Sequence, residues 1–147
     1  LEPAASEGGI NAHLALPAAI ARVISIKSEL RGNLEQAYRS RAKDALSQRL
    51  KSEVIPLRAA FETLWEIHRD TWMASNKPFG WDTIDKRYGG QIARVKTLIY
   101  RIEQYLTGEI AALPELDVDI LDLYPNQETG AIPAAKYAQA STASVVR

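Results

Sequence analysis

Three acidic side chains of one helical stretch are the first candidates for chemistry. Glu62, Glu66 and Asp70 follow one another at intervals of four residues, which places them on one face of a helix. Carboxylates can ligate a metal, but a metal site in a bundle needs a matching face elsewhere, such as a Glu-x-x-His pair. Glu66 and His68 are only two residues apart, so their side chains diverge by about 200°. The pattern favours a solvated acidic face, and a small carboxylate metalloprotein is the minor hypothesis.

His68 is the second candidate, because imidazole can act as a general base or as a metal ligand. It lies between Leu64 and Trp72 in an apolar seam, which favours a core or interface histidine over a catalytic one. The chain has no cysteine and only two histidines, which excludes thiol nucleophiles and argues against His-rich or thiolate metal sites. We therefore predict neither a cofactor nor a metal.

The most unusual stretch is residues 72–82, which we name the aromatic tip. Trp72, Phe79 and Trp81 crowd with Lys77 around one turn that is rich in Asn, Pro and Gly. Aromatic residues are enriched at protein interfaces. The aromatic tip is predicted to be a docking surface, and the alternative is a plug that closes the end of the core.

Gly89 and Gly90 follow the aromatic tip inside a predicted helix. Two interior glycines cost about 2 kcal/mol of helix propensity. Such residues suit a place where a second helix or the backbone of a partner comes close. A local break, with a new helix beginning at Gln91, is the alternative.

Composition narrows the remaining classes of function. The 147 residues are 46% hydrophobic and 24% charged, as expected of one globular domain. The 18 basic and 18 acidic residues give a formal net charge of zero, and a neutral chain has no overall field to attract nucleic acid. No apolar run is long enough to span a membrane. We predict no nucleic-acid or membrane partner, and the compartment stays open, with a slight preference for the cytoplasm. The first residue is Leu, so the chain is interpreted as a piece of a longer protein.

Three apolar seams at helical spacing predict three long helices, from Pro17 to Arg41, from Lys43 to Ser75, and from Trp81 or Asp82 to about Gly108. The seam positions are Ile20, Val23 or Ile24, Leu30, Leu34 and Tyr38 in the first; Leu46, Leu50, Val54, Leu57, Phe61, Leu64, His68 and Trp72 in the second; and Ile84, Tyr88, Ile92, Val95, Ile99, Ile102 and Leu106 in the third.

The connections between these helices are short, and no strand pattern accompanies them. The predicted fold is all-α, an elongated antiparallel three-helix bundle over residues 16–123. Residues 1–15 are predicted to be an arm or linker and residues 124–147 a flexible or extended tail. Pro56 predicts a kink or break near Val54 and Ile55, and Asp82 is predicted to cap the third helix.

Several motifs, in this order along the chain, resemble those of one known family. They are residues 37–38, 43, 68–72, 76–81, 87–90, 94, 101 and 105–110. Over about residues 20–116 the chain is similar to the C-terminal helical region of family 20 glycoside hydrolases, the β-N-acetylhexosaminidases. It looks most like the group of dimeric exo-acting enzymes with a helical domain after the catalytic barrel. The resemblance implies removal of terminal N-acetylhexosamine by substrate-assisted hydrolysis, with an adjacent Asp-Glu pair on the barrel.

This chain contains no Asp-Glu dipeptide and no alternation of strands and helices. The resemblance therefore implies an accessory domain, inactive alone, that docks on the catalytic barrel of the same enzyme and supports a homodimer. The site residues that we predict, as an interface or as the border of a sugar pocket, are Trp72, Asn76, Phe79, Trp81, Arg87, Tyr88, Gly89 and Gly90. The alternative function is a free-standing helical module for self-association or protein interaction.

Overall fold

The computed structural model describes residues 14–118, and these residues form helices and turns without a strand. The helices are α1 (Ala15–Arg39), α2 (Lys43–Arg49), a π-helical segment (Leu50–Val54), α3 (Ile55–Ser75), α4 (Trp81–Thr107) and α5 (Pro114–Asp117). The all-α bundle predicted from the sequence is confirmed. The predicted arm, except for its last two residues, and the predicted tail lie outside the described residues.

Pro56 changes the hydrogen bonding of the second long helix without ending it. The backbone keeps helical dihedral angles from Arg49 through Ile55, so α2, the π-helical segment and α3 form one continuous rod. Proline has no N–H to donate to the preceding turn, and the π-helical segment ends just before it, where the Ile55 N–H donates to the Leu50 carbonyl. The sequence located the perturbation correctly, and its form is a π-helical segment.

The three rods pack side by side in alternating directions. Lys43 donates to the carbonyl of Leu106 at 3.4 Å, whereas Trp72 packs on Trp81 at the other end of the same helix pair. At mid-length, α1 contacts the π-helical segment, where Asn33 donates to both carboxylate oxygens of Glu53. These contacts make α1 and α4 the two antiparallel neighbours of the central rod.

The core follows two of the three predicted seams closely. The second seam is buried from Leu46 through Leu64, and Val95 and Ile102 anchor the third. The first seam is wrong at Ile20, which is 42% exposed, and of its alternatives Val23 and Ile24 it is Val23 that is buried, whereas Ile24 is 60% exposed. The buried positions of α1 are Ala18, Ala19, Val23, Leu30, Leu34 and Ala37.

The short helix α5 closes the end of the bundle opposite the aromatic tip. Leu113 and Leu116 are buried in the common core. The hydroxyl of Tyr38 accepts a hydrogen bond from the Leu113 N–H at 3.1 Å and donates to Asp117 at 3.2 Å, while its ring meets Tyr105 edge to face. One phenol therefore ties α5 to both α1 and α4.

Replacement of Tyr38 by Phe should destabilise the chain by about 1 to 2 kcal/mol, because the Leu113 N–H would lose its partner in a half-buried position. Urea unfolding of the 147-residue chain measures the change. Tyr100→Phe is the matched control, since its exposed hydroxyl only accepts from Gln104 of the same helix, and it should change the free energy of unfolding by less than about 0.5 kcal/mol. Equal effects of the two variants would contradict this role of Tyr38.

A salt bridge makes the anchoring of α5 sensitive to pH. The Arg101 guanidinium donates to Glu115 at 3.1 and 3.4 Å and lowers the pKa of that carboxyl through this hydrogen bonding. Because the pKa is lower in the folded state, the pair stabilises the fold above the unfolded pKa of Glu115, and this stabilisation is lost as the pH falls through the folded pKa. The effect should be small, since both side chains are partly exposed.

Replacement of Arg101 by Gln should raise the pKa of Glu115 towards its ordinary value, as followed by NMR titration of the side-chain carboxyl. Arg94→Gln removes a cation two turns earlier on the same helix, at a distance where water and salt screen charges strongly. It should leave the Glu115 titration unchanged. A Glu115 pKa that does not respond to Arg101→Gln would show that the salt bridge does not form in solution.

Candidate docking site

The turn between α3 and α4 gives the aromatic tip a fixed shape. The Asn76 N–H donates to the Trp72 carbonyl at 2.7 Å and ends α3, and the Trp72 indole N–H donates to the Lys77 carbonyl at 2.9 Å. Gly80 precedes α4 with φ 91°, a left-handed conformation that strains any residue with a Cβ. The N-cap position belongs to Gly80 and has no side-chain hydrogen bond, so the predicted cap by Asp82 is wrong.

Trp81 lies inside the bundle, at one of its ends. Its side chain is 5% exposed. The His68 ring meets it edge to face at 5.2 Å between centroids, and Trp72 covers it at 6.0 Å. Trp81 is therefore covered by side chains of α3, and the choice between a plug and a docking surface for the aromatic tip stays a prediction.

His68 connects Trp81 to the next turn of α4. Its Nδ1 lies 3.0 Å from the Tyr88 hydroxyl, which donates the hydrogen bond when Nδ1 is unprotonated. Burial raises the pKa of the Tyr88 hydroxyl, so Tyr88 keeps its proton at neutral pH. These contacts give His68 a structural partner within the interface between α3 and α4.

A second polar contact fixes the outer side of the same helix pair. The Trp65 indole N–H donates to Asp85 at 2.7 Å, and the Arg69 guanidinium lies 4.9 Å from the centre of the Trp65 ring. Sequence reasoning missed the pairs formed by Trp65 with Asp85 and by His68 with Tyr88. The signal was available, since residues at similar distances from a turn lie opposite each other in an antiparallel helix pair.

The outer surface of the aromatic tip is apolar and open to solvent. Phe79 is 84% exposed and Met73 43% exposed. The backbone beside Phe79 is held on both sides, by the Trp72 contact with Lys77 and by the Trp81 N–H, which donates to the Pro78 carbonyl at 3.2 Å. An apolar ring that a fixed turn holds in water is suited to entering a pocket of another protein surface.

Gly89 and Gly90 lie in an unbroken helix, so the predicted break before Gln91 is not present. A Cβ at either glycine would meet nothing within 4 Å. Of the two close approaches considered from the sequence, a crossing helix of the described chain is therefore excluded. Gly89 is exposed and Gly90 is half-buried.

The predicted site residues thus fall into an inner and an outer group. Trp81, Trp72 and Tyr88 are buried or half-buried in the α3–α4 contact, and Asn76 ends α3 beside them. The outer group comprises Phe79, Arg87, Gly89 and Gly90 along the turn and the first turns of α4. The roles of these residues as an interface or as a sugar-pocket border stay predictions.

Two further properties of the described residues concern metal ligation and membrane insertion. Residues 14–118 contain no group of three or more His, Asp or Glu side chains that could hold a metal ion. Among the helices of the same residues, none has the length and apolar character needed to cross a bilayer.

The helices of residues 14–118 define an all-α domain. The model of one family, the Glycoside Hydrolase 20C C-terminal domain, matches residues 2–133 of the chain. The chain belongs to this family, which confirms the resemblance drawn from the sequence motifs. Neither the curated proteins nor the solved structures gave a match. Membership of this family, a C-terminal domain of glycoside hydrolases, implies that the chain is associated with a catalytic domain.

Substitution of the two neighbouring aromatic residues should separate the buried ring from the exposed ring. Trp81→Ala should destabilise the chain by about 3 to 5 kcal/mol, because it empties a buried position. Phe79→Ala should change the free energy of unfolding by less than about 0.5 kcal/mol, because that ring is in solvent. Urea unfolding measures both, and a Phe79→Ala variant as unstable as Trp81→Ala would show that Phe79 is packed in the free chain.

Proposed function

We propose that the chain is the accessory helical domain of a β-N-acetylhexosaminidase. In this role it docks on the catalytic barrel through the aromatic tip and supports formation of a homodimer. The barrel supplies the Asp-Glu pair and removes terminal N-acetylhexosamine by substrate-assisted hydrolysis. The helical domain supplies a rigid surface.

The observation that carries this proposal is the exposure of Phe79 on a turn that the chain fixes from both sides. Isolated exposed apolar residues are common on proteins, but this ring is 84% exposed and belongs to the same tip as the exposed Met73 and the buried Trp81. A partner that binds here buries the ring. The turn is already ordered in the free chain, so the entropic cost of binding is lower.

Gly89 and Gly90 support the same location. Inside the described chain nothing approaches them, so the fold would accept alanine at both positions. Alanine would also improve helix propensity by up to about 1 kcal/mol at each site. The described chain therefore does not require glycine at either position, whereas the backbone of a domain docked against them would.

Alanine at Gly90 should have opposite effects on the free chain and on its complex. Gly90→Ala should stabilise the 147-residue chain by about 0.4 to 1 kcal/mol, and it should weaken binding to the separately produced catalytic domain about tenfold or more, or about 1.4 kcal/mol. Thermal unfolding measures the first effect and calorimetric titration the second. Gly89→Ala tests the neighbouring position in the same way.

Gly32→Ala is the matched control, since Gly32 is also helical and a Cβ there would also meet nothing within 4 Å. It should stabilise the chain to a similar extent and leave binding unchanged. Equal binding by Gly90→Ala, Phe79→Ala and the unmodified chain would overturn docking through this surface. Hydrolysis of nitrophenyl N-acetylglucosaminide by the pure chain would overturn its accessory role. A chain that self-associates by light scattering but does not bind the catalytic domain would favour the free-standing module.

A further inference from the structure

One face of α1 is uncovered although two isoleucines lie on it one helical turn apart. Ile20 and Ile24 are 42% and 60% exposed, and Lys27 and Arg31 continue from them at spacings of three and four residues. At about 100° per residue these four side chains fall within roughly 60° of one another. We name them the α1 stripe. It is apolar at the beginning of α1 and basic farther along.

The end of the described chain runs along α1 towards this stripe. Tyr38 contacts Leu113 and Asp117, and Arg31 then donates to the carbonyl of Val118 at 2.8 Å. The chain therefore passes from the level of Tyr38 to that of Arg31, antiparallel to α1. Val118 has an extended backbone and is 58% exposed.

The residues that follow Val118 have the right length and composition for the remaining distance. Ile24 lies about 10 Å and Ile20 about 16 Å beyond Arg31 along the helix axis, at 1.5 Å per residue. Five or six extended residues cover about 16 to 20 Å. Residues 119–124 comprise two aspartates and the apolar residues Ile120, Leu121, Leu123 and Tyr124. The family match extends to residue 133 and so includes this segment.

We infer that residues 119–124 dock on the α1 stripe, antiparallel to α1. The apolar side chains of the segment cover Ile20 and Ile24, and Asp119 or Asp122 faces Lys27. The hydrogen bond from Arg31 to the Val118 carbonyl favours this docking, because it holds the beginning of the segment at one end of the stripe. A second copy of the chain would occupy the α1 stripe less favourably than this segment does. Two isoleucines offer far less than the roughly 800 Å² per partner of a stable interface, while a tethered segment acts at an effective concentration in the millimolar range.

The cysteine-free chain allows a direct test by disulfide trapping in the full 147-residue protein. Ile24→Cys is combined in turn with Ile120→Cys, Leu121→Cys or Leu123→Cys, under mild oxidation. A disulfide requires Cα atoms within about 7 Å. The matched controls combine Ile55→Cys with the same three partners, since Ile55 is also a helical isoleucine, 37% exposed, outside the α1 stripe.

At least one pair that contains Ile24→Cys should form an intrachain disulfide ten times faster or more than its Ile55→Cys counterpart, as read by mass spectrometry. The triple variant that adds Arg31→Gln to this pair should form the disulfide severalfold more slowly, because the hydrogen bond from Arg31 to the Val118 carbonyl is lost. Equal rates in the stripe and control pairs would overturn the inference. Predominant interchain disulfides would overturn it as well and would identify a second copy as the occupant. Neither outcome bears on docking of the catalytic domain through the aromatic tip.

Discussion

Burial of the Trp81 indole at the junction of α3 and α4 is the contact on which the form of the tip depends. The left-handed backbone at Gly80 turns the chain sharply, so that α4 can begin with Trp81 already inside the bundle. His68 and Trp72 of α3 then cover the ring from the facing helix. With Trp81 held inside, Phe79 lies on the part of the turn that faces solvent. The exposed ring is thus a consequence of the buried one.

The sequence predicted the helices better than it predicted which faces are covered. The 43–75 rod and α4 carry apolar residues every three or four positions over many turns, and their ends coincide with an Asn-Pro-Gly turn and with Gly108. Such long patterns leave few alternatives. The first seam was wrong at Ile20 and left Val23 and Ile24 as alternatives, because periodicity tells which residues share a face, whereas the neighbouring helices decide how much of that face is covered. Small alanines at positions 18, 19 and 37 took buried places instead.

The candidate site was predictable in residue type and place but not in the role of each residue. Phe79 and Trp81 are both large, aromatic and adjacent to Gly80, so composition gives no reason to place one inside and the other outside. That difference comes from the backbone dihedral angles that Gly80 adopts in the folded chain. Gly89 and Gly90, the glycines inside α4, are the opposite case. Their unusual place was evident from the sequence, but only the empty space around them shows that the described chain itself does not require them.

The two ends of the bundle are completed in different ways. At one end α5 buries Leu113 and Leu116 and is fixed by Tyr38 and by the Arg101 salt bridge. At the other end the polar contacts of α3 and α4 hold the turn in place, yet Phe79 and Met73 stay in water. A domain that functions alone gains stability by covering such side chains at both ends. Since α1 also begins at the tip end, antiparallel to the central rod, the uncovered side chains of Ile20 and Ile24 lie towards the same end. Further chain that covers these side chains at the tip end, either from this polypeptide or from a docked domain, would bury apolar surface.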